Sequence, residues 1–258
     1  MKPLYQYSPL RRAILVALLG SASSVSADTL IDKDTLIDEK SPINESYRVE
    51  NGATLTARAA TAENMDVVAG HLDMDGGKIA RWLSVGNGST ATINNATINF
   101  AALQGDSRLT NTTVETMLLI DNAQLRATNF KAQVLVGYGS DVVVENGYVV
   151  SGDYPSDMAV MLNDANATFR GSIIKGTQSG IFIEQNTRVN LEGSHVWSAN
   201  GPAFLVNFGK QNVIQLNGST AGSDTGELLT ARKGSDVSLS LNASQAAGTV
   251  RAEEGAVV

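Results

Sequence analysis

A short pattern returns along this chain every 16 to 25 residues, and few folds can accommodate it. Its clearest copy runs from Asn186 to Asn200. Val189 and Leu191 alternate with polar neighbours, as on a strand with one buried face. Glu192-Gly193-Ser194 then makes a small polar corner, where short side chains fit a tight turn. Val196 resumes the buried face at once.

Taking the last apolar residue before each corner as an anchor gives Leu55, Met74, Ile93, Leu109, Leu125, Val144, Phe169, Leu191, Leu216 and Leu241. Their spacings are 19, 19, 16, 16, 19, 25, 22, 25 and 25 residues, an average of about 21. Two residues before the anchors only Ser107 is polar. Two residues after them stand Ala57, Gly76, Asn95, Asn111, Ala127, Asn146, Gly171, Gly193, Gly218 and Ala243. Five residues after them every position, from Ala60 and Ile79 through Phe130 to Val196 and Ala246, is apolar.

A unit this short cannot bury its own apolar face. Stacked on copies of itself it forms a continuous core, each turn lying on the next at the strand spacing of about 4.8 Å. The period of two excludes helical solenoids, and the leucine-rich pattern is absent. The expected fold is all-β, a right-handed parallel β-helix, and ten turns would make a rod roughly 50 Å long.

Residues 1–27 read as a secretory signal peptide. Lys2, Arg11 and Arg12 form a basic start, Ala13 to Leu19 an apolar core too short for a bilayer, and Val25-Ser26-Ala27 a small-residue cleavage site before Asp28. Removing it takes three of the 19 basic residues, leaving 16 against 26 acidic ones, a net charge of −10. That balance argues against nucleic acid or an anionic membrane as partner. The chain has no cysteine, and a long repeat core can do without disulfides.

Residues 28–50 form an N-terminal cap and 51–258 the repeats. The cap holds a duplication, Asp28-Thr29-Leu30-Ile31-Asp32 and Asp34-Thr35-Leu36-Ile37-Asp38. It reads as a charged edge strand that discourages end-to-end aggregation, since no glycine-bearing calcium loop is present. From Val144 onward the spacing widens, with additions at Ser151 to Asp157, Gly176 to Gly180, Asn200 to Phe204 and Gly222 to Gly226. Such insertions cluster on one face of a solenoid, and loops on a rigid scaffold commonly bind. The first of them, with Asp153, Tyr154 and Asp157, is the candidate binding loop.

Three constellations invite a catalytic reading. Gly105-Asp106-Ser107-Arg108-Leu109 approaches a lipase-like Gly-Asp-Ser-Leu block, but Arg108 interrupts it and it falls inside the repeat. His195 sits four residues after its anchor, in a column with Lys78, Thr97 and Thr113 that points to solvent. Asp73 and Asp75 flank Met74 and share one face of a strand, with Lys78 or Arg81 near in sequence. Paired acids of this kind can serve acid–base chemistry, and they are the alternative catalytic pair.

A leader followed by turns such as Gly88-Ser89-Thr90-Ala91-Thr92-Ile93-Asn94-Asn95, Gly180-Ile181-Phe182-Ile183 and Gly234-Ser235-Asp236-Val237-Ser238-Leu239 resembles the passenger of a pertactin-like autotransporter. The resemblance implies a non-catalytic scaffold or adhesin on a Gram-negative cell surface. Its partners would be a host or neighbouring-cell surface protein or glycan, and it would need no cofactor or metal. It also implies an outer-membrane β-barrel translocator, which Ala256-Val257-Val258, directly after a repeat, does not begin. The competing expectations are a β-helix carbohydrate-active enzyme, a polysaccharide lyase or hydrolase, and an inert spacer.

Overall fold

The computed structural model describes residues 28–152 and 157–258, and every regular element among them is a β-strand. The strands stack as a parallel β-solenoid of about 12 turns of roughly 19 residues, more numerous and shorter than expected. The extra turn at the start comes from the duplication. Its two copies become strands Thr29–Ile31 and Thr35–Asp38, one in each of the two sheets. They pair in register with Tyr47–Val49 and Leu55–Arg58. The hydrogen-bonded stack therefore begins inside the segment expected to cap it. The expected leader, with Ala27 at its cleavage site, lies outside the described residues, and Asp28 is the first within them.

One sheet has eleven strands, a single strand from each turn but the last described one. Its inward column runs Ile37, Ala57, Met74, Ile93, Leu109, Ala127, Val144, Phe169, Leu191, Leu216, Leu241. Two anchors are thereby corrected. Leu55 and Leu125 lie one inward position earlier, beside Leu72 and Val142. Those two strands place their leucine first and an alanine second, so size misleads where register does not. With Ala57 and Ala127 as anchors, the corner column becomes Ala59, Gly76, Asn95, Asn111, Asn129, Asn146, Gly171, Gly193, Gly218 and Ala243. All ten are in the left-handed region, with φ between 47° and 73°. Glycine and asparagine tolerate that conformation best, which is why they recur there. The asparagines also stack, each Nδ2 donating to the previous Oδ1: Asn111 to Asn95 at 3.1 Å, Asn129 to Asn111 at 3.0 Å, Asn146 to Asn129 at 3.4 Å.

Beside that corner a buried hydroxyl column replaces backbone partners that the bend removes. The Ser172, Ser194, Ser219 and Ser244 hydroxyls accept from the N–H of the residue one turn below at 3.0 Å, and Ser172, Ser194 and Ser219 donate back to carbonyls. Every buried polar group of this kind needs such a partner.

The second sheet has seventeen strands. In early turns one bent strand, such as Thr97–Leu103 or Thr113–Asp121, spans its whole width. In later turns the insertions split it into pairs: Tyr148–Val150 with Met158–Asn163, Ile173–Gly176 with Ser179–Ile183, His195–Ser198 with Phe204–Val206, and Thr220–Ser223 with Glu227–Ala231. The sheet therefore has a near half, before the insertions, and a far half beyond them. Phe130, Phe169 and Phe204 are among the largest fully buried side chains of the core. Leu119, Val134, Val136, Met161, Phe182 and Leu205 make a separate apolar cluster on the far half. There Leu119 alternates with the core residues Leu118 and Ile120.

Candidate functional site

Parallel in-register stacking turns each strand position into a column along the solenoid. On the outer side of the near half one column reads Thr61, Lys78, Thr97, Thr113, Lys131, Tyr148, Ile173, His195, Thr220, Gln245. It contains no carboxylate. Two residues further along each strand, the later turns add Val150, Lys175, Trp197 and Gly222. The two columns meet in a patch with Tyr148 45% and Ile173 38% exposed, and with His195 and Trp197 half-buried.

Trp197 is held on three sides. Its register partner one turn on is Gly222, and a Cβ there would stand 2.6 Å from the indole Cζ3 and 3.1 Å from Cη2. Only glycine leaves the ring room to lie across that strand. The indole Nε1–H donates to Asp224 Oδ1 at 3.0 Å. On the same strand the His195 ring lies parallel to the indole, at 9° and 5.7 Å between centroids. Asp224 belongs to the insertion Gly222 to Gly226, so a loop of one turn fixes an aromatic side chain of the turn before.

His195 is oriented as well. Its Nδ1 pairs with the Thr220 hydroxyl at 2.6 Å, leaving Nε2 for other partners. Burial, and then the Lys175 ammonium, lower its pKa below the ordinary 6.5, because both disfavour a second positive charge. Both therefore favour the neutral imidazole, the form that can accept a proton. Aromatic ring, neutral imidazole and ammonium together suit a sugar ring: a flat apolar surface to stack on, a base and a cation.

The other sequence-derived residues fall elsewhere. Asp73 and Asp75 do share the outer face of the eleven-stranded sheet, but each is engaged. Asp73 accepts from Arg58 at 2.7 Å, and Asp75 from Asn95 at 2.8 Å. Lys78 and Arg81 are on the other sheet, paired with Glu115 at 3.4 Å and Glu63 at 3.0 Å. Ser107 is buried and donates to the Gly105 carbonyl at 3.1 Å. In the candidate loop, Asp153 and Tyr154 lie outside the described residues, and Asp157 is half-buried with its carbonyl accepting from Gln178 N–H at 2.8 Å. A cleft of about 150 Å³ opens at Asp121, Tyr138 and Asp164. Its carboxylates already accept from Gln104, Asn122 and Gln185. Among the described residues no group of three or more His, Asp or Glu is gathered to hold a metal. Trp197, Lys175 and Asp224 carry no sequence motif. The one available signal is a tryptophan whose repeat-equivalent in the next turn is a glycine.

No family model matches the chain, and no curated protein matches it by sequence. Among solved structures it is similar to the A-module of the mannuronan C-5 epimerase AlgE4 from Azotobacter vinelandii. The identity is 8% and the TM-score 0.36, with 94% of this chain and 93% of that chain covered. That protein is an enzyme, against the expectation of a non-catalytic chain, and at this identity and TM-score the likeness speaks to the fold alone. The column of His195, expected to be plain solvated surface, gathers an imidazole, an ammonium and an aromatic ring by stacking.

Proposed function

We propose that this chain is a carbohydrate-active β-solenoid that engages an extended polysaccharide across the near half of its seventeen-stranded sheet. The observation that carries the reading is the Trp197 indole, fixed by Gly222, Asp224 and His195 yet still half-exposed. Locking an aromatic platform before the ligand arrives removes the entropy cost of ordering it on binding. Beside it, His195 is the general base and Thr220 its orienting partner. Hydrolysis by two carboxylates asks for a pair about 5 to 9.5 Å apart. The described near-half columns offer no such pair, so the site favours chemistry begun by a base.

The test is an array of polysaccharides incubated with the full chain, read for binding and for altered products. Binding that Trp197→Ala abolishes, with product formation that His195→Asn abolishes, is the expected result. Binding unaffected by Trp197→Ala would sink the assignment of the site. A second reading keeps the autotransporter resemblance: an exported passenger, displayed on a Gram-negative surface, whose same aromatic face holds a glycan without changing it. The leader pattern of residues 1–27 favours export. Binding without any product would select this reading.

A further inference from the structure

The near half differs in charge between its two ends, and the difference points to a class of ligand. In the early turns its cations are neutralised: Lys78 by Glu115 and Arg81 by Glu63. From Lys131 onward the pattern changes. Lys131 and Lys175 make no ion pair among the described residues. The columns Lys131–Tyr148–Ile173–His195–Thr220 and Val150–Lys175–Trp197–Gly222 contain no acid. Beside Trp197, the Asp224 carboxylate is turned to the indole N–H, and the Glu115 carboxylate, on the strand paired with that of Lys131, is turned to Lys78. On a chain with 26 acidic and 19 basic residues, a strip of exposed cations without counter-charges is a focus of positive potential.

Geometry sets the direction of the ligand. Lys131 and Lys175 are separated by two turns, about 10 Å along the solenoid at the strand spacing. Tyr148 lies between them, and Trp197 with His195 one turn beyond Lys175. A chain of sugars running parallel to the solenoid axis would meet an ammonium, an aromatic ring, a second ammonium and a second aromatic ring in that order. A chain lying across the axis would meet at most one ammonium.

We infer that the ligand of this face is a polyanionic polysaccharide, its sugars bearing carboxylates, laid along the solenoid axis with Lys131 and Lys175 as its two charge contacts. This rests on the carbohydrate reading of the Trp197 face. Two ammonium groups pairing with carboxylates make binding both charge-selective and salt-sensitive.

Binding of the full chain to polygalacturonate, to its methyl ester and to a neutral glucan of similar length tests the inference. Each is measured at low and high salt with wild type, Lys131→Gln, Lys175→Gln, Trp197→Ala and the control Lys210→Gln. The inference expects polygalacturonate to bind at least about tenfold tighter than either uncharged polymer, each near-half lysine variant to lose about tenfold, and the control to lose nothing. Equal binding of all three polymers, still lost in Trp197→Ala, overturns the anionic class and leaves the carbohydrate face standing. Binding of none overturns both. Polygalacturonate binding that falls in Lys175→Gln but not in Lys131→Gln overturns the axial placement.

Discussion

Asp224 reaches back one turn to hold the indole of Trp197, and its removal is the sharpest probe of the proposed platform. In a Trp82→Phe background, which leaves Trp197 as the chain's one tryptophan, Asp224→Ala should raise acrylamide quenching and lose about tenfold in glycan affinity. That loss corresponds to a hydrogen bond to a charged group. Asp224→Asn keeps an acceptor oxygen and should recover most of both. His195 carries a pH signature. Its folded pKa is lowered, so as pH falls through 6.5 the unfolded chain binds a proton that the folded chain resists, and stability declines with acid. Thermal melts at pH 7.5 and pH 5 should show a smaller acid loss in His195→Asn than in wild type. An equal loss would mean that His195 does not titrate as its burial and Lys175 imply. At this scale the sequence was only partly legible. That His195 faces outward followed from alternation alone. That Trp197 is a fixed platform did not, because its lock is a missing side chain at Gly222 and a carboxylate at Asp224, each a full turn away.

The corner is where local chemistry and stacking agree most closely. Its column of glycines, asparagines and alanines was visible before any register was known, because only a few residues accept a positive φ. The slip at Leu55 and Leu125 shows the boundary of that legibility. Large side chains mark a buried face, but only pairing decides which inward position a small alanine shares. The splitting of the later strands was foreshadowed by the widened spacing, whereas the first turn hid inside a segment whose charge suggested a cap. Ala59 offers a test of the corner's energetics. It is exposed and sits at φ 50°, so its Cβ pays strain and packs against little. Ala59→Gly should therefore stabilise by about 1 kcal/mol, raising Tm by about 2–4 °C. An unchanged or lower Tm would show that flexibility gained by the unfolded chain outweighs the strain relieved.

Across the whole molecule, one column experiences very different surroundings. Leu216 is 1% exposed, whereas Leu241, its register partner one turn on, is 50% exposed. Leu216→Ala should cost about 2–5 kcal/mol and Leu241→Ala less than 1 kcal/mol. Denaturant melts of the two variants read the difference directly, and similar losses would mean that the last strand of the eleven-stranded sheet is covered in solution. The same stacking that builds these columns has a mechanical corollary. Nearly all backbone hydrogen bonds between strands run along the solenoid axis, turn to turn. Tension applied between the two ends therefore loads them in series. The outermost turn peels first while its neighbours stay intact, and each turn of roughly 19 residues frees about 65 Å of chain. Stretched by its ends, the molecule should lengthen in a staircase of near-equal steps, a spool that unwinds one loop at a time.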